Sequence, residues 1–199
     1  MWLLFQGNRL LVKQENGHAS IPTDILPEEV ELDISRRHYL GSFLNNGTNY
    51  HCYSGEISEG AEPPPVYSFE SLRPLYAQLD ERSFWLAGLA IQIVDWDRTH
   101  QYCGRCGQLT KNHERERSKV CTACGLIHYP RLSPAIIVRV QRHGESGPEI
   151  LLARATRFPN GMFSVLAGFV EPGETLEDCV RREVLEETGI SVHAIKYFG

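Results

Sequence analysis

Residues 168–190 place glutamates at fixed helical spacing, and that segment carries the strongest chemical signal in this 199-residue chain. Thr175, with Asp178 three residues on, forms a capping-box pattern, so a helix is predicted to begin there. Gly189 is a natural stop just past its end. At ~100° per residue, Leu176, Cys179, Val180 and Val184 define an apolar face. Glu183 falls one turn after Cys179 and Val180, and Glu187 one turn after Glu183 and Val184. Both carboxylates are therefore expected in the buried stripe, with Glu186 at its edge. Glutamate-rich helices usually present a solvated face, but here the angular placement points inward. Clustered carboxylates on an inward face repel one another and lose hydration. A divalent cation offsets both costs. All-oxygen ligands of high negative charge favour Mg²⁺ or Mn²⁺. Mg²⁺ usually shares its shell with substrate phosphates, so the chemistry indicated is cleavage of a phosphate anhydride. The preceding loop, Gly168 to Glu174, contains two glycines that permit a tight excursion and can bring main-chain oxygens to such an ion.

A second cluster has different chemistry. Cys103 and Cys106 form one C-x2-C pair and Cys121 and Cys124 another, with 14 residues between them. Gly107 and Gly125 follow the pairs, where a tight turn is needed. Two such knuckles bring four thiolates to one tetrahedral zinc ion. Disulfides and a redox C-x-x-C site are the competing readings. The absence of a secretory signal weighs against the first and the matched pairs against the second. Four protein ligands leave no open position, so this zinc is expected to hold structure. Cys52 and Cys179 have no partner pattern and read as small core residues.

The elements that must position these groups differ along the chain. Trp2–Phe5, Arg9–Lys13 and Tyr50–Tyr53 read as strands, punctuated by Gly7-Asn8, Asn16-Gly17 and Asn45-Asn46-Gly47. Pro63-Pro64-Pro65 reads as a loop. Leu72, Tyr76, Leu79, Trp85, Leu86, Leu89, Ile93 and Trp96 suit helical spacing, giving a short helix after Ser68 and a longer one to about Asp97. After the cysteine insert, Ala135–Val140 and Glu149–Leu152 are expected as strands around a Gly144–Pro148 hairpin loop. Met162–Leu166 and Val192–Phe198 are further strand candidates. This order suggests an α/β or α+β sandwich. The expected domains are 1–98, β-rich with a helical end; 99–131, cysteine-rich; and 132–199.

Composition excludes several classes. Apolar residues make up 42% and charged residues 23% of the chain, as in ordinary globular proteins. No apolar run can span a bilayer, and no signal-peptide pattern opens the sequence, so a cytoplasmic protein is expected. The net charge of −5 is uneven, because residues 99–131 carry +4 between acidic flanks. That basic segment, with Arg115, Arg117 and Lys119, offers phosphate contacts but is too small to establish a nucleic-acid partner.

The run Gly168, five residues, Glu174, seven residues, Arg182-Glu183-Val184, one residue, Glu186-Glu187, one residue, Gly189-Ile190 matches every fixed position of the Nudix box. The chain thus resembles the Nudix hydrolases, which cleave nucleoside diphosphates linked to another moiety. A zinc ribbon directly before this box, behind a β-rich N-terminal domain, is similar to the NADH pyrophosphatase subfamily. Members of that subfamily also remove NAD caps from RNA in bacteria. Cys121–Cys124, His128-Tyr129-Pro130 and Val165–Glu171 carry this second resemblance, which covers about residues 70–199.

The resemblance implies an α+β protein: a β-rich N-terminal domain, a zinc ribbon and the first part of a Nudix α/β/α sandwich. It implies hydrolysis of NAD(H) to AMP and nicotinamide mononucleotide. Glu183 and Glu187 would be ligands to Mg²⁺ or Mn²⁺, with Glu186 a further ligand or a contributor to base chemistry. Ala167 would offer its backbone carbonyl, and Arg182 would orient a catalytic glutamate. Glu174 is the earlier acidic position of the box. Glu116 and Tyr129 match substrate-contacting positions, a surface charge and a packing aromatic being the plain alternatives. Arg73 is a softer match, for which an ordinary surface charge is preferred. A lysine contact of the subfamily falls near Thr23, which cannot supply the charge. A homodimer is implied. The subfamily's substrate-selecting motif would begin just after Gly199, so 132–199 is expected to be an incomplete Nudix domain, and this chain a truncated one. The alternatives are a Nudix hydrolase for another dinucleotide or nucleotide sugar, and a non-catalytic zinc-ribbon module.

Overall fold

The computed structural model describes residues 1–22, 32–45, 47–156 and 160–198. Thr23 and Asn46 lie outside these. The architecture is α+β, in two compact units, Met1–Arg131 and Leu132–Gly199.

In the first unit, β1 (Trp2–Gln6) and β2 (Arg9–Glu15) form an antiparallel pair around Gly7. β3 (His18–Ser20) continues from β2. β4 (Ile34–Asn45) and β5 (Thr48–Ile57) are antiparallel partners, and β5 lies parallel to β1. β6 (Tyr67–Ser71) pairs with β2, completing a six-stranded sheet. Helices α1 (Leu72–Leu75) and α2 (Glu81–Thr99) follow. The short apolar runs of β1 and β2 lack polar alternation because both sheet faces are covered. Leu3, Phe5, Leu10 and Val12 pack with Leu75, Leu86, Ala87, Ala90 and Val94. Leu4 and Leu11 point the other way, to Ile34 and Ile57. The first helical segment is shorter than its apolar spacing suggested, leaving Tyr76 exposed. Trp85 also faces solvent.

The cysteine insert forms a three-stranded sheet of β7 (Thr110–Asn112), β8 (Lys119–Cys121) and β9 (Ile127–His128). Lys119, expected as a free phosphate contact, is instead buried, with its Nζ 2.7 Å from Asp97 Oδ1 on α2. His38 Nε2 of β4 lies 2.6 Å from Asp97 Oδ2, and Gln101 Nε2 donates to Oδ1 at 2.6 Å. Burial opposes the charge on Asp97, but the His38 and Lys119 contacts override it and hold the carboxyl at about 2. The pair thus joins the ribbon to the N-terminal sheet and helix. A carboxyl depressed on folding contributes stability above its unfolded value, and this is lost as pH falls toward about 2. Asp97→Asn leaves a buried ammonium without its counter-charge and is expected to cost about 3–5 kcal/mol. Urea unfolding at neutral pH and near pH 2.5 would check it: the gap between wild type and variant should shrink in acid.

In the second unit, β10 (Ala135–Val138) is followed by the hairpin β11 (Gln141–Gly144) and β12 (Gly147–Ile150), then β13 (Leu166–Phe169) and α3 (Leu176–Thr188). β10 and β13 are antiparallel, Ile136 opposite Gly168. Ile136, Leu166, Cys179, Val180 and Val184 form the core between this pair and α3. Met162–Leu166 is not a strand: Ser164 makes an isolated bridge to Ala153, Met162 and Phe163 are exposed, and the ladder begins at Leu166. Val192–Phe198 forms no strand either, since no described neighbour pairs with it.

Candidate active site

Helix α3 begins and ends where its caps dictate. Thr175 Oγ1 accepts from the Asp178 amide at 3.1 Å, and Gly189 closes the helix at φ 72°. The caps and the Cys179–Val180–Val184 contact to the strand pair fix its rotation. Arg182 then points back along the Gly168–Glu174 loop. Its Nε and Nη2 donate to the two oxygens of Glu174 at 2.6 and 2.9 Å. Nη2 also donates to the Phe169 carbonyl at 2.9 Å. Nη1 reaches Glu183 Oε1 at 2.9 Å and Glu186 Oε2 at 3.3 Å. The Glu171 amide donates to Glu174 Oε2 at 3.0 Å. Glu174 therefore accepts from three N–H groups. Those to Arg182, then the Glu171 amide, hold its carboxyl at about 2. Hydrogen bonds to Glu174, then to Glu183, push the Arg182 guanidinium upward. Glu174, which sequence left with a loosely defined role, is the anchor of the clamp.

Glu183 is seated by Gly168. A Cβ on that glycine would lie 2.0 Å from the Glu183 carboxyl carbon. Only a residue without a side chain permits this approach. Gly168→Ala is expected to push Glu183 off its seat and lower activity at least tenfold, with α3 intact. Kinetics alongside circular dichroism check this, and unchanged kinetics would remove the seating role.

Only part of the glutamate set lies in the expected buried stripe. Glu183 is inside it, its side chain 15% exposed, but Glu186 is 60% exposed and Glu187 also faces solvent. Leu176, assigned to the apolar face, is 47% exposed. The reason is geometric: the described partner surface of α3 is a pair of four-residue strands, which covers only its middle. Ala167 lies on β13 opposite Ile137, next to the Gly168 seat. An open groove of about 520 Å³ runs beside the loop, lined by Leu132, Pro134, Phe169 and Glu171.

The carboxylates of Glu183, Glu186 and Glu187 fit a hard divalent ion in donor type and charge. Among the described residues, however, only the four cysteines already converge as a ligand cluster. Their Sγ atoms all lie within 4.8 Å of one another. Cys103–Cys124 and Cys106–Cys121 are at 3.7 and 3.4 Å. Tetrahedral Zn–S bonds of ~2.3 Å place sulfurs ~3.8 Å apart, whereas a disulfide requires ~2.05 Å. Gly107 (φ 73°) and Gly125 (φ 69°) return their amides to Cys103 O and Cys121 O. Backbone amides of Cys124 and Ala123 on Cys121 Sγ lower that thiol to about 6, despite burial. The four cysteines are a structural zinc site.

Glu116 and Tyr129 are brought together on the ribbon, Tyr129 Oη 3.4 Å from both Glu116 oxygens. Both are exposed. Arg73, exposed on α1, makes no hydrogen bond or ion pair with either.

Family models match the whole arrangement. Residues 1–96 match an NADH pyrophosphatase-like rudimentary NUDIX domain, 98–129 the NADH pyrophosphatase zinc ribbon domain, and 130–199 the NUDIX domain. The chain belongs to the Nudix family, in its zinc-ribbon-bearing NADH pyrophosphatase-like branch. Similar curated proteins are named NAD-capped RNA hydrolase NudC. That of Stutzerimonas stutzeri is 47% identical over 98% of this chain and 67% of its own. That of Pseudomonas fluorescens is 45% identical over 100% of this chain and 68% of its own. That of Pseudomonas putida GB-1 is 40% identical over 92% of this chain and 63% of its own. The chain thus spans about two thirds of the length of these relatives. None of the described helices is long and apolar enough to cross a membrane.

Proposed function

We propose that this chain carries the catalytic helix of a cytoplasmic, metal-dependent hydrolase that splits the pyrophosphate of NAD(H) into AMP and nicotinamide mononucleotide, and that also acts on NAD caps of RNA. The observation that carries this reading is the Arg182 clamp, which ties Glu174, Glu183 and Glu186 to the loop of a complete Nudix box. The similarity to proteins named NAD-capped RNA hydrolase narrows it to this substrate class.

In this reading the functional division is 1–98, 99–131 and 132–199. Glu183, Glu186 and Glu187, with the Ala167 carbonyl, would hold Mg²⁺ or Mn²⁺. That ion supplies Lewis-acid neutralisation of the diphosphate charge when bound. Water attacks one phosphorus, a new P–O bond forms and the bridging P–O bond breaks. The leaving phosphate takes the electron pair, and the water's proton passes to a box carboxylate. Glu186, the more exposed of the two glutamates on Arg182 Nη1, is free to act in ligation or in base chemistry. Arg182 orients Glu183 over Gly168. Glu116 and Tyr129, and more weakly Arg73, are proposed substrate contacts. A homodimer is proposed as the working state.

Comparing rates on NADH and ADP-ribose tests the substrate class. NADH is expected to be preferred, whereas a preference for ADP-ribose would support the nucleotide-sugar alternative. For capped RNA, each phosphate neutralised adds ~0.7 to the magnitude of the salt slope. Binding of capped RNA is thus expected to weaken more steeply with salt than binding of free NADH. Equal slopes would argue against an RNA-contacting surface.

A further inference from the structure

On the sheet face opposite α2, three strands contribute one aromatic group. Trp2 of β1 and Tyr53 of β5 stack with ring centroids 4.9 Å apart and planes at 23°. Tyr39 of β4 adjoins Tyr53 at 5.3 Å, and its hydroxyl lies 3.2 Å from His51 Nδ1. Tyr39 is 49% exposed, and Trp2 and Tyr53 are half-buried. The register that aligns them is the parallel β1–β5 pair, Trp2 opposite Tyr53, and the β4 bulge that sets Tyr39 opposite the same residue.

Two arginines border this group. The Arg37 guanidinium sits 5.9 Å from the centre of the Trp2 ring. Its Nε is tied to the Ile34 carbonyl, and no carboxylate pairs with it among the described residues. Arg117 reaches across from the ribbon to donate to the Tyr39 carbonyl at 2.8 Å, and likewise has no described carboxylate partner. The two buried carboxylates among this unit's described residues are engaged elsewhere: Glu56 takes Arg36 and Arg98, and Asp97 takes Lys119 and His38. Aromatic faces beside arginines that no described carboxylate pairs with match a single-stranded nucleic acid, whose bases stack and whose phosphates take the guanidinium groups.

We propose that Trp2, Tyr39 and Tyr53, with Arg37 and Arg117, form a stacking platform for the unpaired nucleotides of an RNA substrate. This inference rests on the reading of capped RNA as a substrate, and it adds where the RNA body is held. Stacking of bases makes the platform tolerant of sequence.

The test measures anisotropy of a short, uncapped, labelled oligoadenylate with the full chain, zinc-loaded, and turnover of free NADH in parallel. Tyr39→Leu keeps apolar bulk and removes the π face; Arg37→Gln removes the charge. Each is expected to weaken the oligonucleotide roughly 5- to 100-fold and to leave NADH turnover unchanged. Inorganic polyphosphate, which has no bases, should respond to Arg37→Gln but not to Tyr39→Leu. RNA affinity within twofold of wild type in both folded variants would overturn the platform, as would no binding by the wild type. A change of oligomeric state in either variant, with RNA affinity retained, would instead assign the face to a second copy and overturn the platform. RNA binding that depends on Tyr39 and Arg37 in a chain inactive on NADH supports the platform and counts against the proposed reaction. NADH cleavage with RNA affinity insensitive to both substitutions does the reverse.

Discussion

Removal of zinc is expected to unfold residues 99–131 and to weaken the sheet and helix to which they are joined. The ribbon has almost no core of its own. Its strands are three, three and two residues long, and its only buried hydrophobic side chains are Cys103 and Cys121. The ion must therefore stand in for packing, and structural zinc supplies about 10–16 kcal/mol to small folds of this kind. Cys121 ends the strand that begins with Lys119. Loss of the metal thus also releases the ammonium that faces Asp97 inside the first unit. Chelation should abolish amide protection in Thr110–Cys121 and lower the melting temperature of the remaining structure. Cys121→Ser should behave in the same direction. Retention of ribbon protection in metal-free protein would show that the cysteines are not its framework.

Glu187→Gln separates chemistry from folding more cleanly than any other substitution in the box. Glu187 faces solvent and makes no hydrogen bond or ion pair with a described residue. Its change should alter stability by no more than ~0.5 kcal/mol. A carboxylate that ligates the ion, or takes the proton of the attacking water, is worth roughly two to four orders of magnitude in rate. Turnover of NADH should fall by that amount, with an unchanged unfolding curve. Glu183→Gln should reduce turnover as well, but it also breaks a contact with Arg182, so its effects on folding and rate are mixed. Near-normal turnover in Glu187→Gln would remove the proposed role of that residue.

Signals that are local in the chain were the legible ones. Thr175, Asp178 and Gly189 bound α3 because capping depends on residues three or four apart. The cysteine pairs announce their site because each knuckle closes within five residues and needs glycine at its turn. Other features depended on distant partners. The twelve-residue β4 was hidden because it carries positive φ at Arg36 and Gly41 and shifts register twice, so its apolar alternation is broken. The parallel pairing of β1 with β5 has no sequence signature. Asp97 and Lys119 look like surface charges until the fold places them against each other. Helical periodicity correctly grouped Glu183 with Cys179, Val180 and Val184. It could not give the width of the surface they pack on, and so misplaced Glu187 and Leu176. Glu116 and Tyr129, thirteen residues apart, meet because the ribbon sheet folds between them.

The central claim is that water cleaves a pyrophosphate at the site built around Arg182. Its most direct test incubates the zinc-loaded chain with NADH and Mg²⁺ or Mn²⁺ in ¹⁸O-water, with mass spectrometry of the products. The account predicts AMP and reduced nicotinamide mononucleotide in equal amounts, with one ¹⁸O entering a phosphate of one of them. Release of nicotinamide and ADP-ribose, phosphate products without label, or NADH left intact by the folded protein would contradict it.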